Sequence, residues 1–194
     1  MTATDAPSPD GRRRRSQTSR EWIVAAMLDL VAEGQITPSA DQVASRAAVG
    51  LRTVFRHFAD MESLYAAMTG VLSRQYEMWL VPFESSDWRG QLNETIDRRL
   101  ATYEKLLPFK RAADAHRHTS PAIQAEHKRT LDMMRQRLLS ILPETIAENA
   151  PVLEAIDLML SPEAWQRLRD EQNLPVDRAR AVVVALIDAL TTAL

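Results

Sequence analysis

Apolar residues recur along most of this chain at intervals of three and four, the period of a helix with one buried face. Ile23, Ala26, Met27, Leu30 and Val31 make the first such stripe, on a helix expected from Thr18 or Ser19 to about Glu33. Gly34 then ends it, as a left-handed cap residue does. Ser39 with Gln42 reads as a capping box opening a short helix whose inner side is Val43, Ala44 and Ala47. The turn Ala48-Val49-Gly50 leads to a second short helix, with Gly50 as its N-cap. On it Leu51, Val54, Phe55 and Phe58 fall on one side, expected to be buried, and Arg52, Thr53, Arg56 and His57 on the other.

The periodicity continues to the end of the chain. A helix capped by Asp60 is expected over 61–80, with Leu64, Met68, Val71, Leu72 and Trp79 in phase and Pro82 as its stop. Leu92, Ile96, Leu100, Tyr103 and Leu107 mark a helix over 88–107, which Pro108 is expected to break before a short helix over 109–116. Ser120-Pro121 is a strong start signal for a helix to Leu142, carrying Ile123, His127, Leu131, Met134, Leu138 and Ile141. One or two helices are expected over 144–161. Ser161-Pro162 opens another, with Trp165 and Leu168 inward and Asn173-Leu174-Pro175 as its end. In the last helix, 176–194, Val182, Val183, Val184, Leu186, Ile187 and Leu190 wrap nearly the whole circumference. Such a helix must be covered on more than one side, either by the protomer core and a second copy of the chain or, as a central core helix, by the protomer alone. The fold class is all-α.

Composition narrows this picture. With 194 residues, 45% hydrophobic and 26% charged, the chain is globular. It has no cysteine, hence no disulfide framework or thiol chemistry. No apolar run suits a membrane span and no apolar segment follows the N-terminal arginines, so a cytoplasmic protein is expected. Net charge is −2, but the distribution is uneven: Arg12, Arg13, Arg14 and Arg15 form an unbroken cationic block. Residues 1–17, rich in Pro, Ser, Asp, Thr and Arg, are expected to be a disordered basic arm. Such an arm follows phosphates or enters a minor groove; as a solubilising tail it has no partner.

The second short helix carries the chemistry. Two guanidiniums, a hydroxyl and an imidazole on one side of a short rigid rod suit the major groove, where arginine pairs bidentately with guanine. Two short helices around a tight turn are the helix-turn-helix arrangement. A solvated basic face on an ordinary helical hairpin is the alternative reading of the same split.

Residues 20–64 resemble the DNA-binding domain of TetR-type bacterial transcriptional regulators. The likeness runs through Arg20, Ile23, Ala25-Ala26, Leu30, Gly34, Ser39, Val43-Ala44, Ala48-Val49, Thr53-Val54-Phe55, His57-Phe58 and Leu64, in register and without a gap. The sequence departs from the family pattern where Ala48 replaces glycine, Gly50 serine or threonine, Phe55 tyrosine and Met61 lysine. Phe55 and Met61 lack the polar groups that reach phosphates, which shifts that role to Ser39, Arg52, His57 and the arm. The resemblance implies a helix-turn-helix domain over 18–60 and an effector-binding and dimerisation domain over 61–194. It implies a homodimer through helices near 162–172 and 176–194 on a palindromic double-stranded operator, and a repressor released by a small-molecule effector. DNA contacts are expected from Arg12, Arg13, Arg14, Arg15, Ser39, Gln42, Gly50, Arg52, Thr53, Arg56 and His57.

The effector's place is less defined. Trp79, Tyr103, Phe109, His116, His127, Met134 and Trp165, with Met133 and Met159, either line a pocket or are plain core. His116 and His118 do not share a helix face, so no metal site is expected. No catalytic arrangement, phosphate-cradling glycine loop or cofactor motif is present. The competing function is a helical small-molecule-binding protein in which the first three helices only pack.

Overall fold

In a computed structural model the described residues are 9–192, excluding the side chains of 9–16, 75, 77 and 78. They are helical throughout, with no strand among them. The order is α1 (Pro9–Ala32), α2 (Ala40–Arg46), α3 (Leu51–His57), α4 (Met61–Leu72), a 3₁₀ segment (Ser73–Leu80), α5 (Trp88–Arg117), α6 (Pro121–Leu139), α7 (Glu144–Ala147), α8 (Ala150–Met159), α9 (Pro162–Gln166) running into a π turn (Arg167–Glu171), and α10 (Val176–Thr192). None of the described helices is long and apolar enough to cross a membrane.

The chain forms two compact units. One holds the residues up to Val71 with Pro108–Gln124; the other holds Leu72–Leu107 and Ala125–Leu194. In the first, Ile23, Met27, Val43, Val54, Leu64, Tyr65 and Met68 are almost fully buried. Three local ties fix its geometry. Arg46 of α2 grips Glu33 beyond α1 with both terminal nitrogens, at 2.8 and 2.6 Å. The Tyr65 hydroxyl of α4 donates to the Ile36 carbonyl at 3.2 Å. Asp60 accepts from the Ser63 amide at 2.8 Å, capping α4.

The second unit is built round Ile96, Tyr103, Leu138, Ile156, Leu160, Trp165, Val183 and Ile187, all 3% exposed or less. Its termini and turns follow local chemistry. Ser161 caps α9 by accepting from the Ala164 amide at 3.1 Å. Asn173 takes the left-handed conformation (φ 52°) that ends the π turn, and Arg169, held by Glu104 at 2.7 and 3.0 Å, donates to the carbonyl of Leu174.

Several helix boundaries differ from the sequence expectation. α1 begins at Pro9, so residues 9–17 are helix rather than disordered. Arginine and glutamine are good helix formers. Residues 1–8 lie outside the described residues, as do the side chains of Arg12, Arg13, Arg14 and Arg15. The helix expected over 61–80 tightens to 3₁₀ geometry from Ser73, just after Gly70, a weak helix former. Pro108 does not break α5, which is unbroken from Trp88 to Arg117. Leu106 and Leu107 before it and Ala112 after it are all buried. That packing on either side holds a helix from which proline removes one hydrogen bond. The boundary between the two units nevertheless falls at Pro108.

Candidate nucleic-acid interface

The helix-turn-helix is assembled by its caps. Ser39 accepts from the Gln42 amide at 3.3 Å and its own amide donates to Gln42 Oε1 at 2.8 Å, completing the capping box. Ala48 then adopts φ 52°, a left-handed conformation that sets the turn. Gly50 caps α3 through its backbone, with no side-chain bond to the first turn. Ser39 and Gln42 stand exposed at the α2 start, although the Gln42 carbonyl oxygen is already engaged.

α3 buries less than its pattern suggests. Val54 and Phe58 are 1% and 3% exposed, but Leu51 is 38% and Phe55 46% exposed. The expectation that all four are buried is corrected accordingly. Val54 and Phe58 lie one turn apart on a line facing α1 and α2, whereas Phe55 sits about 100° round from Val54. A helix of seven residues packs along such a line and leaves its flanks open. The exposed surface of α3 is therefore Leu51, Arg52, Phe55 and Arg56, with Thr53 half-buried beside them.

His57 is also more withdrawn than expected. It is half-buried and its Nε2 is buried without a hydrogen-bond partner. Burial lowers its pKa below the usual 6.5, and the charges of Arg56 and Arg20 lower it further. Both effects bias the imidazole of the free chain toward its neutral form. Arg20 lies 4.8 Å over the Phe58 ring, joining α1 to the end of α3.

The residues expected around an effector are divided. Trp79, Tyr103, Met134 and Trp165 meet in the core of the second unit, where their polar groups are engaged internally. Trp79 Nε1 donates to Thr102 at 2.9 Å, the Tyr103 hydroxyl to the Leu160 carbonyl at 2.7 Å, and Trp165 Nε1 to Glu104 at 3.0 Å. His127 is half-buried in the same unit. Phe109 and His116 belong to the first, where the His116 ring stacks on Tyr65 at 3.9 Å and its Nε2 is buried unpartnered. A cleft of about 310 Å³ opens beside Met134, lined also by Leu131, Glu154, Asp157, Leu158, Ser161 and Glu163. Sequence reasoning had not singled out these carboxylates. The 64% exposed Leu158, apolar at the surface of α8, gives no periodic signal of its own.

This arrangement is the fold of TetR-type transcriptional regulators. A transcriptional regulator from Rhodococcus sp. Rha1 superposes with a TM-score of 0.69 at 19% identity, covering 90% of this chain and 97% of that one. A TetR-family regulator from Rhodococcus sp. gives 0.67 at 15% identity, over 89% and 98%. The multidrug binding protein EbrR, solved with imidazole, gives 0.62 at 20% identity, over 96% and 97%. No sequence-family profile matches the chain, and no curated protein matches it either.

Proposed function

We propose that the chain is a sequence-specific DNA-binding transcriptional regulator that acts as a homodimer and represses until a small-molecule effector releases it. The observation that carries this reading is α3. Arg52 and Arg56 stand exposed on a short helix whose opposite line, Val54 and Phe58, is locked into α1 and α2. That geometry presents guanidiniums to base edges on a rigid support. Arg52, Thr53 and Arg56 would read bases, and Ser39, Gln42 and Gly50 at the helix starts would meet phosphates. The arm Arg12–Arg15 would add sequence-independent affinity.

Dimerisation is supported by α10. Ala179, Val183 and Ile187 are buried, while Ala185, Leu186 and Ala189 are exposed beside a half-buried Val182. This second apolar stripe suits a copy of itself across a two-fold axis, and two recognition helices then meet two half-sites of a palindrome. The cleft beside Met134 is in the size range of small-molecule sites, and with Glu154 and Asp157 already held by Arg135 it suits a partly apolar molecule carrying hydrogen-bond donors.

Fluorescence anisotropy with duplexes from the chain's own promoter, against random duplexes, tests the reading. Affinity should fall steeply with salt. Arg52→Ala should cost about 5- to 150-fold on the promoter duplex and relax discrimination. Promoter and random duplexes binding alike at every salt concentration would return the chain to the competing class, a helical small-molecule-binding protein.

A further inference from the structure

Arg98, Arg99 and Arg137 wall one small cavity in the second unit, which Trp79, Phe83 and Thr95 complete. Its volume is about 10 Å³, room for a single water-sized occupant. The three guanidiniums are not equally neutralised. Arg98 donates to Glu94 at 2.8 Å and to the carbonyls of Val81 and Pro82 at 2.6 and 2.9 Å. Arg99 is 2% exposed and donates to the carbonyls of Met134 at 2.5 Å and Leu160 at 3.4 Å, with the Tyr103 side chain as a further hydrogen-bonding neighbour. Arg137 donates Nη2 to the Val81 carbonyl at 3.2 Å, and its Nε is buried with no partner.

No described carboxylate pairs with Arg99 or Arg137. Asp157, the acid whose charge bears on Arg99, is bonded to Arg135 at 2.9 Å. Glu94 also accepts from the amides of Glu84 and Ser85. The hydroxyl proton of Thr95 goes to the Gln91 carbonyl at 2.8 Å. Aromatic faces offset part of the charge: Phe83 lies 4.0 Å from Arg137 and 5.0 Å from Arg98, and Trp79 lies 5.8 Å from Arg99. Burial favours the neutral form of Arg99, but a guanidinium stays protonated in a protein. Among the described residues, Arg99 and the half-buried Arg137 thus line one cavity wall with no carboxylate bonded to either.

A water molecule would give the Arg137 Nε–H an acceptor but would leave that charge in place. A polyatomic carboxylate or phosphate exceeds the volume. We propose that the cavity is a binding site for one chloride-sized monovalent anion, held between Arg99 and Arg137 with the Arg137 Nε–H as a donor. The site joins α5, α6 and the stretch from Trp79 to Phe83, whose Val81 carbonyl is held by Arg98 and Arg137 and whose Pro82 carbonyl is held by Arg98. An anion there stiffens the connection that leaves the 3₁₀ segment.

The test is thermal unfolding of the full chain at fixed ionic strength, with sodium chloride exchanged for sodium gluconate, whose anion is too large to enter. Tm should be higher in chloride, by about 3–6 °C at tenfold above the dissociation constant. Bromide should replace chloride, and crystals grown in bromide should show an anomalous peak within hydrogen-bond distance of Arg137 Nε. Arg137→Gln should abolish the difference between the salts; Arg99→Met supplies the same comparison if that variant does not fold. Equal Tm in both salts, a chloride effect that survives both substitutions, or an ordered water with no anomalous signal at the site would each overturn the proposal.

Discussion

Arg52 and Arg56 stand in solvent on α3, whereas Arg99 is 2% exposed and bonded inside the core, to the carbonyls of Met134 and Leu160 among others. The two units of one chain thus use the same side chain in opposite ways. On α3 the guanidinium adds little to folding, because water solvates it fully, and its value is realised when it meets another charged surface. In the helical unit the guanidinium is part of the fold. It bridges α6 at Met134 and the end of α8 at Leu160, at the desolvation cost of a buried charge. A substitution on α3 should therefore change binding and leave stability alone, while one at Arg99 should do the reverse.

The largest expected effect follows from that difference. Arg99→Ala leaves a side-chain-sized void and removes both bridges, and should cost about 3–5 kcal/mol. Arg99→Met fills most of the void and removes the buried charge. The Leu160 carbonyl keeps its bond from Tyr103, so the loss should be smaller than about 1.5 kcal/mol. Urea unfolding in gluconate buffer, with the slope unchanged, measures both. If the methionine variant is as unstable as the alanine variant, the charge itself, rather than the volume, holds the core, and the contrast drawn above between the two units narrows.

The same contrast explains what the sequence revealed. In the first unit the signals are local: a serine and a glutamine three apart, a glycine after an apolar stripe, a turn of fixed length. Each is confirmed by a bond or a dihedral, from the capping box at Ser39 to the φ of 96° at Gly34. What local signals cannot supply is how much of a seven-residue helix its neighbours cover, so Leu51 and Phe55 were expected to be buried. The interior of the second unit was harder to read because aromatic and methionine stripes look alike whether they face a ligand or one another. One usable signal was passed over. Arg99 lies between Ile96, Leu100 and Tyr103 on the apolar stripe of α5, at helical spacing, and a charge in such a place marks a buried polar group. Pro108 misleads for a related reason: whether proline breaks a helix depends on the tertiary packing on either side.

A smaller effect compares the two left-handed turns. Ala48 and Asn173 share a φ of 52°. Asparagine tolerates that conformation, but alanine is strained in it through its Cβ. Ala48→Gly should raise stability by about 1 kcal/mol, or Tm by roughly 2–4 °C. Asn173→Gly, without such strain to relieve, should change it much less. The comparison breaks if the two glycine variants shift Tm by the same amount.

The smallest effect is a pH dependence between pH 7 and pH 5 that centres on His57 of the first unit. His57 has a folded pKa below the ordinary 6.5, chiefly because its ring is desolvated and secondarily because Arg56 and Arg20 are near. Above 6.5 the ring is neutral folded and unfolded, and pH has no purchase on it. As pH falls below 6.5 the unfolded chain takes up the proton first, so stability declines until the folded pKa is passed, where the decline stops. Glu33 works in a lower window. Its pKa is depressed below 4.5, first by the hydrogen bond from Arg46, so the stability it lends is present above 4.5 and is lost as pH falls through its folded pKa. The two contributions are therefore separable. Urea midpoints between pH 7 and pH 5 should slope for the wild type, and His57→Gln should flatten that slope while keeping the loss below 4.5. A slope unchanged by His57→Gln would place the titrating group elsewhere and deny α3 an imidazole of lowered pKa.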